Sequence, residues 1–310
     1  MKRNDTAIIM YYWNHFKRKS ILKNFYICHN NLQKYDCDII PIEISTNNYF
    51  DLEIGNTIKF KNDQLLWQKE RIINLVAKKV ESAYEYIAFV DGDILLTEDQ
   101  WIEQAKEKLN AKNNVMVQLF SDVYYLPKGH YRNHGYYSFS TPSVASQIVN
   151  SGSVSAYVDS LNSDDYIYGN PGMGWITKTK TLVDNPLYDK CIVGGGDTIN
   201  LIYNLGIEDK KDSLIGKAMA NDINCFLTDK TFTKNKDVEF DFIDQPIFHL
   251  NHGNRVNRKY VERQSILSEC NFLPSQDLYI DQGIYRYKGN NASFLKQVEK
   301  YFKERNEDLE

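Results

Sequence analysis

The chain is poor in the features that would set it apart from ordinary globular proteins. Its five cysteines (Cys28, Cys37, Cys191, Cys225 and Cys270) are odd in number, scattered and without a C-x-x-C pair. They read as free, buried thiols of a reducing compartment rather than as a disulfide scaffold. Long apolar runs are missing too. The opening "MKRNDTAIIMYYW" has only a seven-residue apolar stretch after its charges. That is too short and too aromatic for a signal peptide, and no other segment approaches a membrane span. The expectation is a soluble, cytoplasmic protein. Basic residues are not in excess: 37 Lys and Arg stand against 41 Asp and Glu, a formal net charge of −4. This argues against broad binding to nucleic acid or anionic membrane, while leaving room for a local basic pocket. No repeat, low-complexity tract or long Pro/Gly linker divides the 310 residues. The Asn-Ala-Ser at 291–293 would accept a glycan only in a secretory lumen and is set aside.

What is present suffices for a fold. Hydrophobic residues make up 42% of the chain, enough for a real core in one large α/β domain or in a core with a smaller appendage. "TAIIMYYW" (6–13) and "CDIIPIEIS" (37–45) read as strands on either side of the helical "SILKNFYICHNNLQKY". Strand, helix, strand is the start of a βαβ sheet, the usual frame for a nucleotide. "FDLEIGNTIKFK" adds one or two short strands, and "DQLLWQKERIINLVAKKV" (63–80) has helical apolar spacing with Asp63 as its N-cap. "YEYIAFVDGDILL" (84–96), "NVMVQLF" (114–120) and "PIFHLNHG" (246–253) supply further strands. "EDQWIEQAKEKLN" makes a surface helix, "NRKYVERQSIL" starts another, and 291–305 is a last one. Between 121 and 170 the pattern loosens into a loop-rich, substrate-facing insertion with a weak helix near 143–160.

Three motifs carry chemistry. The apolar strand before Asp91 and Asp93 ends in two carboxylates separated only by Gly92, at the edge where an open α/β sheet presents ligands. Carboxylates this close repel unless a cation lies between them, although a solvated acidic turn has the same letters. In "HLNHG", His249 and His252 are spaced i, i+3 behind an apolar strand, and a bend there would bring both imidazoles to one ion. Either could instead be a structural histidine holding the turn. In "VGGGD", Asp197 precedes the apolar stretch "TINLIYNLG", a helix closed by Gly206. Asp197 is then either an N-cap or, in a space kept open by glycines, a general base. "GNPGMGW" (169–175) is a second glycine cluster that lets backbone approach a ligand.

The order D-x-D, G-x-G-W, G-G-x-D, His-x-x-His resembles that of GT-A glycosyltransferases, especially the β-1,4-galactosyltransferase-like C-terminal group. "WNHFKRKSILKNF", "LLWQKERIINL" and "HGNRVNRKYVERQ" also resemble bacterial and viral glycosyltransferase-like proteins, so the resemblance spans about 6–270. It implies an α/β fold with a Rossmann-like mixed sheet flanked by helices: a GT-A domain over 1–270, split into a nucleotide-binding half (1–120) and an acceptor and catalytic half (121–270), followed by a C-terminal helical extension (271–310). It implies that Asp93, His249 and His252 bind Mn²⁺ (or Mg²⁺). Asp91 would join them through the donor ribose or a metal-bound water, and Asp197 would deprotonate the acceptor. The donor would be a nucleotide-sugar such as a UDP-sugar, and inversion follows if the base works from the opposite face. Arg71, Arg255, Arg258 and Arg263 are candidates for phosphate contacts or solvated faces. Lys69 and Glu70 would pair with neighbours. Gly195 and Gly196 would face donor or acceptor, and Trp175 would stack on a sugar or lie in the core.

The chain departs from that group in having one Asp followed by Thr198 after its glycines, and fewer tryptophans in its aromatic loop. Acceptor identity therefore does not carry over, and glycans, secreted polymers and modified nucleobases all stay open. The D-x-D letters also resemble the first motif of haloacid-dehalogenase-type phosphatases. That motif opens its fold, whereas here it lies 90 residues in and continues "ILLTED". A Mg²⁺-dependent sugar-phosphate phosphatase and a non-catalytic nucleotide-sugar or carbohydrate binder are the rival readings.

Overall fold

The computed structural model describes residues 4–46, 49–112, 115–132, 135–152, 169–205, 212–228, 239–260 and 262–308. Strand β1 (Thr6–Trp13) is buried along its whole length, as a strand covered on both faces must be. Its alternation sorts the core. Ile8, Met10 and Tyr12 face one apolar cluster, which holds Phe25, Cys28 and Leu32 of helix α1 (Lys19–Leu32). Ile9, Tyr11 and Trp13 face the other, against Ile72, Ile73 and Val76 of α2 (Lys69–Val80). β1 pairs in parallel with β2 (Asp38–Ser45) and with β4 (Tyr86–Asp91), and β3 (Ile58–Lys61) extends β2. Beyond the turn after β4 come the short β5 (Ile94–Leu96), helix α3 (Trp101–Ala111) and β6 (Val115–Gln118). β9 (Gly174–Lys178) lies antiparallel between β4 and β6, and β10 (Glu239–Phe242) closes the edge in parallel with β6. The seven-stranded order is β10-β6-β9-β4-β1-β2-β3. It is the mixed, Rossmann-like sheet with helices on both faces that the sequence predicts, and the strand order reverses between β1 and β4.

A second sheet has the order β5-β11-β7-β8, built from β7 (Asp122–Tyr125), β8 (Phe139–Pro142) and β11 (Pro246–His249). The segment expected to be loop after 121 thus contains a strand pair, whose members are too short for periodicity to reveal. The weak helix is α4 (Val144–Ser151), capped by Ser143 and ended by Gly152 at φ +63°. Residues 153–160 of that expectation, and the Gly206 helix stop, lie outside the described residues.

Helix α2 begins at Lys69 rather than at Asp63. The stretch before it is recruited by a hairpin, β12 (Leu278–Asp281) and β13 (Ile284–Tyr287). The side-chain amide of Gln68 bonds both backbone groups of Tyr285 (3.1 and 2.6 Å), and Gln64 does the same for Tyr287 (3.0 and 2.6 Å). Asp63 pairs with Arg286 instead of capping. The stretch beyond 271 therefore contributes a hairpin as well as a helix (Phe294–Glu304), and Leu278, Ile284, Phe294 and Phe302 enter the α2-side core.

One buried side chain locks β6 to the segment before β9 and to the start of α4. Gln118, wholly buried at the end of β6, donates to the carbonyls of Asn170 (2.7 Å) and Gly172 (3.2 Å) and accepts from the amide of Ala145 (3.0 Å). Both carbonyls keep a second donor, Val144 and Gly174 respectively. Gln118→Leu therefore orphans mainly the Ala145 amide and should cost about 1–3 kcal/mol in denaturant unfolding. An unchanged unfolding midpoint would show that the lock contributes nothing.

Candidate active site

The site forms at the C-terminal edge of the large sheet, beside the reversal of strand order where open α/β sheets bind ligands. β4 brings Asp91 there, level with Tyr11 of β1. The next residue must be glycine for a steric reason: a Cβ on Gly92 would lie 2.7 Å from the ring of Phe25 in α1. Asp93 follows and starts the second sheet, its carbonyl accepting from the amide of Leu250 (2.7 Å). The antiparallel pairing of β5 and β11 sets His249 opposite Ile94. The chain then leaves the strand and turns, which brings His252 back to the same carboxylate.

Asp93, His249 and His252 each present a ligand atom, all within 4.8 Å of one another. Oδ2 of Asp93 is 2.7 Å from Nε2 of His252 and 3.5 Å from Nε2 of His249. Oδ1 of Asp93 is buried and has no partner. An orphaned carboxylate oxygen beside two imidazole nitrogens fits a borderline divalent ion such as Mn²⁺. Burial opposes ionisation of Asp93, but His249 and His252 outweigh it and hold the carboxyl well below its usual range. Burial also pushes His249 down, against the pull of Asp93. Behind His252, Glu307 is buried, yet Arg305, His252 and Arg258 hold its carboxyl down at about 2.

The other half of the site is built on a lysine. Lys69, at the start of α2, places its Nζ 3.1 Å from Asp91 and 2.9 and 2.8 Å from the two oxygens of Asp197. Asp197 lies in the first turn of the helix Gly196–Asn204, whose N-terminus has no side-chain cap. Its carboxylate serves Lys69 rather than capping the helix. The sequence marked Lys69 only as pairing with neighbours; nothing in its local pattern says that those neighbours are the two carboxylates of interest. Glu70, one residue on, is buried with neither oxygen partnered, and it fills the space beside Gly196, where a Cβ would meet its carboxyl carbon at 2.2 Å. Burial pushes Glu70 up to about 8 against the pull of Lys69. Gly195 likewise admits Gln264, whose Nε2 lies 2.9 Å from where a Cβ would be. The glycine run is thus occupied by the protein's own side chains.

The remaining candidates divide. Trp175 belongs to the core: it is 5% exposed, donates to the carbonyl of Pro171 (2.9 Å) and packs against Phe240. Arg71 is engaged by the carbonyl of Gly283 (2.8 Å) and by Asp189 (3.3 Å). Arg263 reaches Tyr301. Arg258 lies against His252, its Nη2 2.8 and 2.7 Å from the two ring nitrogens. Arg255 sits over the stacked rings of Tyr125 and Phe139, and Tyr125 in turn packs on His249. Arg255 and Arg258 therefore adjoin the histidine cluster, while Arg71 and Trp175 serve the scaffold.

No protein-family model matches the chain, and no curated protein sequence matches it. Among solved structures it is similar to the catalytic domain of Drosophila β1,4-galactosyltransferase 7, crystallised with xylobiose, at 11% identity and a TM-score of 0.27. That match covers 59% of this chain and 54% of the other, so the chain spans about half the length of that domain. It is also similar to glucosyl-3-phosphoglycerate synthase from Mycobacterium tuberculosis in two complexes with Mn²⁺ and UDP, one with glucosyl-3-phosphoglycerate and one with phosphoglyceric acid. Identity is 11% in both, with TM-scores of 0.40 and 0.41 over 90% and 91% of this chain and 84% and 85% of those chains. These neighbours are GT-A-type glycosyltransferases.

The Glu70 environment makes stability pH-dependent with a definite sign. The folded state keeps the Glu70 proton up to about pH 8, whereas an unfolded chain releases it near 4.5. Folding then binds a proton, so this group's contribution falls as pH rises between those values. Glu70→Gln is neutral throughout. Its stability relative to the unsubstituted protein should rise progressively over that window in denaturant titrations. A pH-independent difference would contradict the assignment.

Proposed function

We propose that the chain is a metal-dependent glycosyltransferase that moves a sugar from a nucleotide-sugar donor, a UDP-sugar, to a hydroxyl acceptor with inversion. The observation that carries this reading is the meeting of Asp93, His249 and His252 at a strand end, with one carboxylate oxygen unpartnered. These three would hold Mn²⁺ or Mg²⁺, which when bound neutralises charge developing on the leaving diphosphate. Arg258 and Arg255 flank the cluster as donors for phosphate oxygens. Asp91, still about a third exposed, faces the ribose or a metal-bound water. Asp197 accepts the proton of the acceptor hydroxyl. Lys69 is bonded to both its oxygens, so its contribution rests on placement. Lys69 in turn fixes Asp197 relative to Asp91. The phosphatase reading is weaker, because it needs Asp93 to deliver a proton while the two imidazoles keep it ionised. Five free thiols suit a cytoplasmic setting, and no described helix is long and apolar enough to cross a membrane.

Two variants test the roles. Asp93→Asn should abolish both turnover and the joint thermal stabilisation by UDP with Mn²⁺, as excess EDTA should in the unsubstituted protein. Turnover that survives EDTA would remove the metal from the mechanism. Asp197→Asn should lower kcat by roughly two to four orders of magnitude, the range for loss of a general base, with the donor KM nearly constant. A change of only a few-fold would reassign Asp197 to structure.

A further inference from the structure

The histidine cluster is backed by residues 305–308, and their placement is fixed from three sides. A Cβ on Gly253, at φ +94°, would lie 2.8 Å from Cα of Glu307, so the backbone there presses directly on the turn that carries His252. The carboxylate of Asp308 accepts from the amides of Lys19 and Ser20 (both 2.9 Å) at the start of α1. Arg18 donates to the carbonyl of Lys303 (3.1 Å) and to Asn306 (3.3 Å). Glu307 is thereby held 5% exposed, with Oε1 3.6 Å from Nδ1 of His252 and 3.8 Å from Arg258, and in contact with Arg305.

The other ring nitrogen of His252, Nε2, is the one that meets Asp93. One Nη2 atom cannot lie along two diverging lone pairs, so Arg258, about equally close to both nitrogens, is in line with at most one of them. The carboxylate nearest Nδ1 is that of Glu307, at 3.6 Å. A metal-bound imidazole typically gives its second N–H to a carboxylate, which sets its tautomer and its orientation. Arg258 and Arg305 are also two cations close to a position meant for a third, doubly charged one, and Glu307 is the carboxylate between them.

Resting on the metal-centre reading above, we propose that Glu307 is a positioning residue for that centre. It acts as hydrogen-bond acceptor for the Nδ1–H of His252, so that Nε2 points its lone pair at the ion, and it offsets the two guanidiniums that would otherwise repel a dication.

The test is Mn²⁺ affinity, measured on the full chain by EPR titration with Mn²⁺ alone, alongside the melting temperature. Glu307→Gln keeps the packing volume and should weaken Mn²⁺ binding roughly ten- to hundredfold, the usual effect of losing such an outer carboxylate. Glu307→Asp should recover part of that loss. Asp308→Ala loosens the same segment without touching His252, so it should lower the melting temperature with a smaller effect on affinity. An unchanged Kd for Glu307→Gln, or an equal loss in Asp308→Ala, overturns the proposal while leaving the metal centre standing. If Asp93→Asn binds Mn²⁺ as well as the unsubstituted chain does, the metal centre itself is wrong and this inference falls with it.

Discussion

A single buried ammonium organises the C-terminal edge of the large sheet in this protein. Lys69 is the cation that Asp91 and Asp197 share, and it lies beside the buried Glu70. Taking such a group out of water costs several kcal/mol even after relaxation. Each close carboxylate contact returns a few kcal/mol at the effective dielectric of protein interiors. The terms roughly cancel, so the cluster adds little to stability. What it fixes is position: the end of β4, the start of α2 and the first turn of the helix at Gly196 are tied to one point.

That point also explains how two aspartates can stand one glycine apart. Asp91 and Asp93 have different side-chain partners. They turn away from each other, Asp91 toward Lys69 and Asp93 toward the two imidazoles. The edge is therefore two electrostatic compartments joined by Gly92, one gathering Asp91 and Asp197 on Lys69 and the other gathering Asp93 with the two imidazoles. Phe25 enforces the joint, because α1 packs too close to the turn for any side chain there.

The parts of this arrangement that were legible in the sequence are the local ones. β1, α1, β2 and β4 announce themselves by apolar runs and helical spacing, and the D-x-D and His-x-x-His letters lie at strand ends that the same runs define. What was hidden depends on partners far along the chain. Arg71 looked available for phosphate, yet its hydrogen bonds go to Gly283 and Asp189, 212 and 118 residues away. Asp63 had the look of a cap, but the hairpin beyond residue 278 claims its neighbourhood through Gln64 and Gln68. The glycines around Asp197 suggested open space for a ligand, and Glu70 and Gln264 fill that space instead. Lys69 and Glu307 left no local trace, since a charged residue among many charged residues has no periodicity to read.

The bonds between Ser20 and the segment around Glu307 also govern the order in which the molecule can assemble. They join residues 287 and 288 positions apart, so they belong to the slowest class of contacts a chain can close. At synthesis rates of about 5–20 residues per second, α1 waits on the order of tens of seconds for the acceptor of its first amides. During that wait its start has no side-chain cap of its own. The parallel strands β1 to β4 lie within about the first ninety residues, but the wall behind His252 is made long after them.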